Sequence, residues 1–321
     1  MATANRLPYL DNIKGLLIIL VIVGHTIQYC SSTYETDFVF RFIYSFHMPL
    51  FFFLSGYLSN RGRWDSNVIA KRAVQLLIPF VIWAFLVPLL RTGDFDLASS
   101  FQVFAYPDKG LWFLYNLFMY SVIFNISEYI QKRFCIKLWI LVGCFYILLG
   151  VLMIVFHTKY NCAQLCYHIV FFAAGYYYKQ LNTNVLISNV GICIMGGVFG
   201  IAIPFWVTNG NPLFYGRINL GGAFAYVYRY GVQFLGMILF YVLGRKKLNR
   251  KITIIQKLGA STLGIYVVQF TIIYYFVKLL PVEDKVLKII AVSTLAVPAS
   301  YAFVCLVRKV KYIRLLLIGE K

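Results

Sequence analysis

The sequence predicts an all-α integral membrane protein: a single domain with about ten transmembrane helices and both termini in the cytoplasm. Three observations predict this class: a very high apolar content, ten apolar segments and an uneven distribution of basic residues. Hydrophobic residues make up 61% of the 321 residues, charged residues only 13%, and the mean hydropathy is +0.75. A soluble domain has about 25% charged residues, so a separate soluble domain is excluded. An outer-membrane barrel is also excluded, because its strands alternate apolar and polar residues.

Ten apolar segments follow one another along the chain, and a helix that spans the bilayer needs about 20 such residues. The segments cover residues 13–30, 38–58, 74–90, 111–130, 138–156, 165–178, 185–207, 224–243, 258–280 and 286–307. No linker, low-complexity tract or internal repeat separates them, which predicts one domain over residues 1–321. The first segment lacks a small-residue cleavage site, so we expect a retained helix.

The basic residues indicate the orientation of these helices. The chain has 30 Lys and Arg against 11 Asp and Glu, a formal charge of +19, and the cytoplasmic loops of membrane proteins collect Lys and Arg. With a cytoplasmic N-terminus, 21 of the 30 fall on the inner side and eight on the outer side, while Arg41 lies within the second segment. Topology therefore explains most of the excess charge without a nucleic-acid partner. We expect a multi-pass protein of the cell membrane, of the prokaryotic inner-membrane type.

The cysteines do not form a recognisable metal-binding pattern. Cys162 and Cys166 are four residues apart with His168 nearby, but a second pair of ligands is missing. Structural zinc sites use four closely spaced nitrogen or sulfur ligands. The sequence therefore predicts no metal site, and most of the seven cysteines are expected to be small packing residues.

Ionisable groups inside a membrane are costly and are usually kept for function or for pairing. His25 lies within the first segment, eleven residues after Lys14. Eleven residues make about three helical turns, so both side chains project from one face of the helix, roughly 16 Å apart along its axis. Asp11 precedes Lys14 by three residues and is placed to pair with it. An ordinary core histidine is the simpler interpretation of His25 taken alone.

Two further features argue against that interpretation. His47 lies about ten residues into the second segment, at a depth similar to that of His25 on the preceding antiparallel helix. In addition, Arg61, Arg63, Lys71 and Arg72 form a basic cluster at the inner surface. Such a cluster also serves as a topology signal or as a contact for anionic lipid. That alternative is stronger for Arg61 and Arg63 than for Arg72.

Several stretches resemble the motifs of the acyltransferase-3 family of integral membrane acyltransferases. In that family a basic residue is followed by ten positions and a histidine, as Lys14 and His25 are here. The resemblance extends in order over nearly the whole chain, through residues 10–15, 24–25, 46–57, 71–72, 77–79, 111–114, 172–177 and 261–266. Two positions depart from the family pattern: Gln75 replaces a second arginine, and Gln269 stands where a histidine is common.

The resemblance implies transfer of an acyl group, usually acetyl from acetyl-CoA, to a sugar hydroxyl of a surface glycan or glycolipid. His25 is the expected base or nucleophile, because imidazole serves both roles near neutral pH. His47 is the second catalytic candidate. Lys14, Lys71 and Arg72 are expected to bind the phosphates of the donor. Trp112, Tyr115 and Asn116 are candidates for the acceptor sugar, or equally members of an interfacial aromatic belt.

Two rival functions fit parts of the sequence. A transporter or flippase for a glycan or lipid-linked sugar would use buried histidines and helices interrupted by Pro49 and Pro79. However, the chain shows no repeated halves. A non-catalytic membrane scaffold leaves Lys14, His25 and His47 unexplained.

Overall fold

The computed structural model describes residues 7–60, 66–93, 97–157, 159–181, 187–206 and 220–320. These parts of the chain are helical and contain no strand. The α-helices are α1 Pro8–Cys30, α2 Phe38–Tyr44, α3 His47–Ser59, α4 Ser66–Arg72, α5 Ile78–Thr92, α6 Leu97–Ala105, α7 Trp112–Phe134, α8 Leu138–Phe156, α9 Cys162–Leu181, α10 Asn189–Ala202, α11 Leu220–Lys247, α12 Thr253–Ala260, α13 Thr262–Leu279, α14 Lys285–Val307 and α15 Lys311–Ile318. A π-helical turn, Ala73–Leu77, joins α4 to α5.

Each of the ten apolar segments coincides with one or more of these helices. Seven described helical stretches are long and apolar enough to cross a bilayer: Pro8–Cys30, Phe38–Ser59, Asn67–Arg91, Leu138–Phe156, Phe224–Lys247, Thr262–Leu279 and Lys285–Val307. The predicted class, an all-α integral membrane protein, is therefore confirmed. The number of ten spans and the cytoplasmic location of both termini stay predictions.

The second segment is divided into two helices, which the apolar pattern did not predict. The carboxylate of Asp37 caps the start of α2 by accepting from the backbone N–H groups of Val39 and Phe40, at 2.9 and 3.1 Å. The helix ends at Tyr44, and α3 begins at His47. Both sides of this break are apolar, so hydropathy alone does not reveal it.

The chain forms two compact units, residues Met1–Phe51 with Asn184–Cys305 and residues Phe52–Thr183 with Leu306–Lys321. In the first unit, α1 packs against α2, α11, α12 and α13. Gly15 of α1 lies against the backbone of Ile255, and Gly259 of α12 lies against the backbone carbonyl of Asp11. A Cβ atom at either glycine would collide with the facing backbone, so these residues allow α1 and α12 to approach closely.

Asn12 fixes the turn between α11 and α12 onto α1. Its side chain is fully buried, and Nδ2 donates to the carbonyl oxygens of Leu248 and Arg250 at 2.7 and 2.8 Å. The buried amide N–H groups of Asn12 need such partners, since an unsatisfied one costs about 1–3 kcal/mol. This part of the first motif thus helps to fix the position of α1, the helix that carries Lys14 and His25.

In the second unit, α7 packs against α4, α8 and α9, and α5 packs against α15. The indole N–H of Trp83 donates to the carbonyl of Leu317 at 2.8 Å, which ties α15 to α5. At the end of α3, the Asn60 amide donates to the carbonyl of Tyr176 at 2.9 Å. The prediction of one acyltransferase-3-like domain over residues 1–321 stays a prediction.

Candidate active site

His25 lies in the last third of α1 and is held by two polar side chains. Its Nδ1 atom is 2.6 Å from Oε1 of Gln28, and the Tyr44 hydroxyl lies 3.0 Å from the same oxygen and 3.2 Å from Nδ1. An amide oxygen only accepts, so Nδ1–H and the Tyr44 hydroxyl both donate to it. These partners assign the proton of the neutral imidazole to Nδ1 and the lone pair to Nε2.

The rest of the His25 environment is aromatic. The ring centroid of Phe270, from α13, lies 4.3 Å from that of the imidazole, and Tyr44 presents its ring edge at 6.2 Å. His25 itself is partly exposed. Within the described residues, no group forms a hydrogen bond with Nε2. The nitrogen that carries the lone pair is therefore available to take a proton or to attack a carbonyl.

His47 is held differently from His25. Its side chain is buried, with 1% of its surface exposed, and Nδ1 donates to the carbonyl of Ile43 at 2.7 Å. This bond crosses the break between α2 and α3, so the imidazole helps to hold that break. The Tyr44 ring contacts the His47 ring edge-on, with centroids 4.7 Å apart. Tyr44 therefore touches both histidines, which the sequence placed at a similar depth.

Lys14 and Asp11 form the expected pair at the other end of α1. Lys14 Nζ lies 2.7 Å from Asp11 Oδ1, and both side chains are partly exposed, at 22% and 15%. Since α1 is continuous from Pro8 to Cys30, Lys14 and His25 share one unbroken helix. The structure thus keeps the geometry from which the Lys14–His25 stripe was predicted.

Lys71 and Arg72 end α4 in the second unit, and Lys71 is exposed. The Arg72 guanidinium donates to the amide oxygen of Gln75 at 2.8 Å, within the π-helical turn. Arg72 also lines a small cavity of about 30 Å³ together with Glu128 and Tyr176. Such a volume has room for a water molecule, not for a phosphate group. The role of Lys71 and Arg72 in donor binding stays a prediction. Arg61 and Arg63 of the same cluster lie outside the described residues.

Trp112, Tyr115 and Asn116 begin α7, also in the second unit. Asn116 is fully buried, and its amide oxygen accepts from Nδ2 of Asn161 at 2.8 Å. Trp112 and Tyr115 are partly exposed, and the Trp112 ring lies 5.3 Å from the imidazole of His168. Their contact with an acceptor stays a prediction, for which Trp112 and Tyr115 are better placed than Asn116.

Gln269, where the family often has a histidine, is fully buried in α13. Within the described residues, neither its amide oxygen nor its amide nitrogen has a hydrogen-bond partner. The next residue, Phe270, packs on His25. The departure from the family pattern therefore concerns a helix that contacts the candidate catalytic residue.

Metal ligands do not cluster in the parts of the chain that the structure describes, where no group of three or more His, Cys, Asp or Glu side chains could hold an ion. All seven cysteines are free thiols, and Cys162 and Cys166 are buried.

Sequence reasoning missed Gln28, Tyr44 and Phe270 as neighbours of His25. Gln28 has a signal, because residues three apart on a helix lie on the same face. Tyr44 and Phe270 come from other helices, so no local spacing identifies them. Asn12 was part of the recognised motif, but its role in holding the turn before α12 needed the structure.

The described residues form an all-helical membrane protein, and comparisons with known proteins identify its family. The family model described as "Acyltransferase domain" matches residues 7–305. The chain therefore belongs to the acyltransferase-3 family, which confirms the resemblance seen in its motifs.

Two curated relatives are similar over parts of their length. Nodulation protein NolL of Mesorhizobium japonicum is 30% identical over 155 residues, 43% of this chain and 40% of that protein. Nodulation protein NolL of Sinorhizobium fredii is 39% identical over 98 residues, 28% of this chain and 27% of that protein. The matches thus cover less than half of these relatives. No solved structure matches the chain.

Proposed function

We propose that the protein is an O-acyltransferase that moves an acyl group, acetyl in the first instance, from acyl-CoA to a hydroxyl of a surface polysaccharide or glycolipid. The observation that carries this proposal is the hydrogen bond from His25 Nδ1 to Gln28, which directs the imidazole lone pair to Nε2. Membership of the acyltransferase-3 family supports acyl transfer. The donor and the acceptor are our inference from the site and the motifs.

His25 has two chemical tasks in this reaction. A sugar hydroxyl is too weak an acid to lose its proton unaided near neutral pH, so Nε2 takes the proton as the hydroxyl oxygen attacks the thioester carbonyl. The tetrahedral intermediate then collapses, its C–S bond breaks, and the imidazolium returns the proton to the departing thiolate. The products are the sugar ester and free CoA, and His25 regains its starting protonation state.

Gln28 and Tyr44 act as positioning residues for this chemistry. As the Gln28 amide oxygen accepts from Nδ1–H, it favours the tautomer with a free Nε2 and is placed to stabilise the imidazolium that forms. The Tyr44 hydroxyl donates to the same oxygen at 3.0 Å and orients it. His47 supports the position of Tyr44 through the contact between their rings.

Lys14 is the candidate in the first unit for the anionic end of the donor. It lies about 16 Å along the helix axis from His25, a distance that the long pantetheine arm of CoA is suited to bridge. Lys71 and Arg72 are the further candidates, because Arg and Lys bind phosphate by charge-assisted hydrogen bonds.

The purified full-length protein in lipid nanodiscs tests the proposal. With acetyl-CoA labelled in the acetyl group and a membrane glycan extract, we expect equal amounts of free CoA and of label on saccharide. Saccharide that crosses sealed vesicles without release of CoA would overturn the proposal and would favour the transporter. Failure of both acyl transfer and transport would also contradict it.

A second experiment separates direct transfer from an acyl-histidine intermediate, in which Nε2 itself attacks the thioester. The protein is incubated with labelled acetyl-CoA without acceptor, quenched rapidly and mapped by peptide mass spectrometry. Label on the His25 peptide indicates the covalent route. Its absence, with CoA release that depends on acceptor, indicates the general-base route described above.

A further inference from the structure

An open pocket lies in the first unit, at the end of α1 that carries Cys30. Tyr29 and Cys30 of α1, Val277 of α13, the 281–283 loop, and Lys285 and Lys288 of α14 form its walls. Its volume of about 560 Å³ falls within the 300–1,000 Å³ range of small-molecule sites. We name it the Tyr29 pocket, and none of the motifs described above includes it.

The pocket adjoins the candidate catalytic residue through two helices. On α1, Tyr29 follows His25 by four residues, so the two side chains lie on one face, about 6 Å apart along the axis. On α13, Phe270 packs against His25, and one turn later Tyr274 packs against Tyr29 with ring centroids 6.5 Å apart. Val277 continues this stripe of α13 into the pocket wall. Aromatic side chains on α1 and α13 therefore connect the pocket to His25.

The charges in the pocket balance closely. Lys285 lies 3.9 Å from the carboxylate of Asp37, which offsets its charge. Lys288 is partly exposed, and no carboxylate among the described residues lies within ion-pair distance of it. Glu283 adds an acceptor to the same lining. One ammonium and one carboxylate, separate from each other in the same lining, favour a neutral ligand with many hydroxyls over a phosphate or another strongly charged group.

We propose that the Tyr29 pocket binds the sugar unit of the acyl acceptor, a neutral polyhydroxylated ring, and presents one of its hydroxyls to His25. A sugar ring has an apolar C–H face that packs on an aromatic side chain such as Tyr29. Its hydroxyls accept from an ammonium such as Lys288 and donate to a carboxylate such as Glu283. This inference rests on the proposed function, and it gives the acceptor a place at the end of α1 opposite Lys14.

Cys30 provides a binding assay that does not depend on catalysis. The thiol lines the pocket and is partly exposed, so its alkylation by a polar maleimide, read on the Cys30 peptide by mass spectrometry, reports access to the pocket. The probes are free glucose, galactose and N-acetylglucosamine, with glycerophosphocholine as the lipid head-group arm. A ligand at its dissociation constant halves the free pocket and slows labelling about twofold. A Val282→Cys variant gives a second reporter in the same wall.

We expect at least one hexose to slow labelling of Cys30 without slowing that of exposed Cys135. Tyr29→Leu and Lys288→Met should abolish this protection, while Tyr275→Leu, the matched control on an exposed part of α13, should retain it. Protection by glycerophosphocholine alone would identify a lipid head-group site and overturn the inference. No protection at Cys30 or at Val282→Cys would also overturn it.

The two proposals fail separately. Hexose protection without acyl transfer would keep the pocket as a sugar site and contradict the acyltransferase proposal. Acyl transfer whose acceptor KM is unchanged in Tyr29→Leu would keep the enzyme and contradict the pocket. If both proposals hold, Tyr29→Leu raises the KM for the acceptor and leaves the KM for acetyl-CoA unchanged.

Discussion

The Nδ1 atom of His25 donates to the amide oxygen of Gln28 over 2.6 Å, within a single helix. An imidazole oriented in this way has one nitrogen engaged and the other open. In acyl transfer the open nitrogen has to hold the lone pair, so this bond selects the reactive tautomer. The helical spacing of His25 and Gln28 on α1 therefore sets the tautomer that the proposed chemistry needs.

The first prediction concerns Gln28. Gln28→Leu removes the acceptor for Nδ1–H and should lower kcat by about two- to tenfold, because a neutral hydrogen bond contributes about 0.5–1.5 kcal/mol. The KM for acetyl-CoA should stay unchanged. Gln28→Glu keeps an acceptor beside Nδ1 and should retain more activity than Gln28→Leu. Equal kcat in the wild type and in Gln28→Leu would show that Gln28 does not position His25.

A second prediction concerns His47 and the break between α2 and α3. His47→Ala leaves the Ile43 carbonyl without its imidazole donor, so the free energy of unfolding should fall by about 1–3 kcal/mol. His47→Asn retains an N–H near the position of Nδ1 and should recover part of this loss. Thermal unfolding in detergent measures both effects. If His47→Asn is stable but as inactive as a His25 variant, His47 acts in the chemistry itself.

A third prediction tests the close packing that positions α1. Gly15→Ala places a Cβ against the backbone of Ile255, and overpacking of this kind costs about 1–3 kcal/mol. Gly150→Ala is the matched control, because nothing lies within 4 Å of its new Cβ. We expect a lower unfolding temperature for Gly15→Ala only. An equal effect of the two substitutions would contradict the tight contact between α1 and α12.

The fourth prediction concerns the donor. Lys14→Ala should raise the KM for acetyl-CoA about ten- to a hundredfold, since a hydrogen bond to a charged group contributes about 1.5–3 kcal/mol. Lys132→Ala removes an exposed lysine at the end of α7 and should leave that constant unchanged. If Lys14 only sets the orientation of the protein in the membrane, Lys14→Ala will leave the KM for acetyl-CoA unchanged, as Lys132→Ala does.

The helices could largely be predicted from the sequence, whereas the site could be predicted only in part. Long apolar runs are a direct signal, and the fifth segment coincides with α8, Leu138–Phe156. The break before His47 left no such signal, because the bond that crosses it joins the His47 side chain to the backbone carbonyl of Ile43. Apolar residues on both sides conceal the end of one helix and the start of the next.

The same division applies to the candidate site. The Asp11–Lys14 pair and the shared helix of Lys14 and His25 follow from helical periodicity, which acts between near neighbours. By contrast, Tyr44 and Phe270 approach His25 from distant parts of the sequence. Such contacts depend on how helices pack, and neither composition nor spacing specifies that packing.

The central claim is that His25 performs the chemistry, and one measurement tests it most directly. The turnover of acetyl-CoA is compared in wild type, His25→Gln and the exposed control His157→Gln, all purified in nanodiscs with equal unfolding temperatures and donor binding. General-base catalysis contributes about 10²–10⁴-fold, so His25→Gln should lose at least about 100-fold while His157→Gln stays near wild type. Turnover near that of the wild type in His25→Gln would show that His25 is structural and would contradict the mechanism.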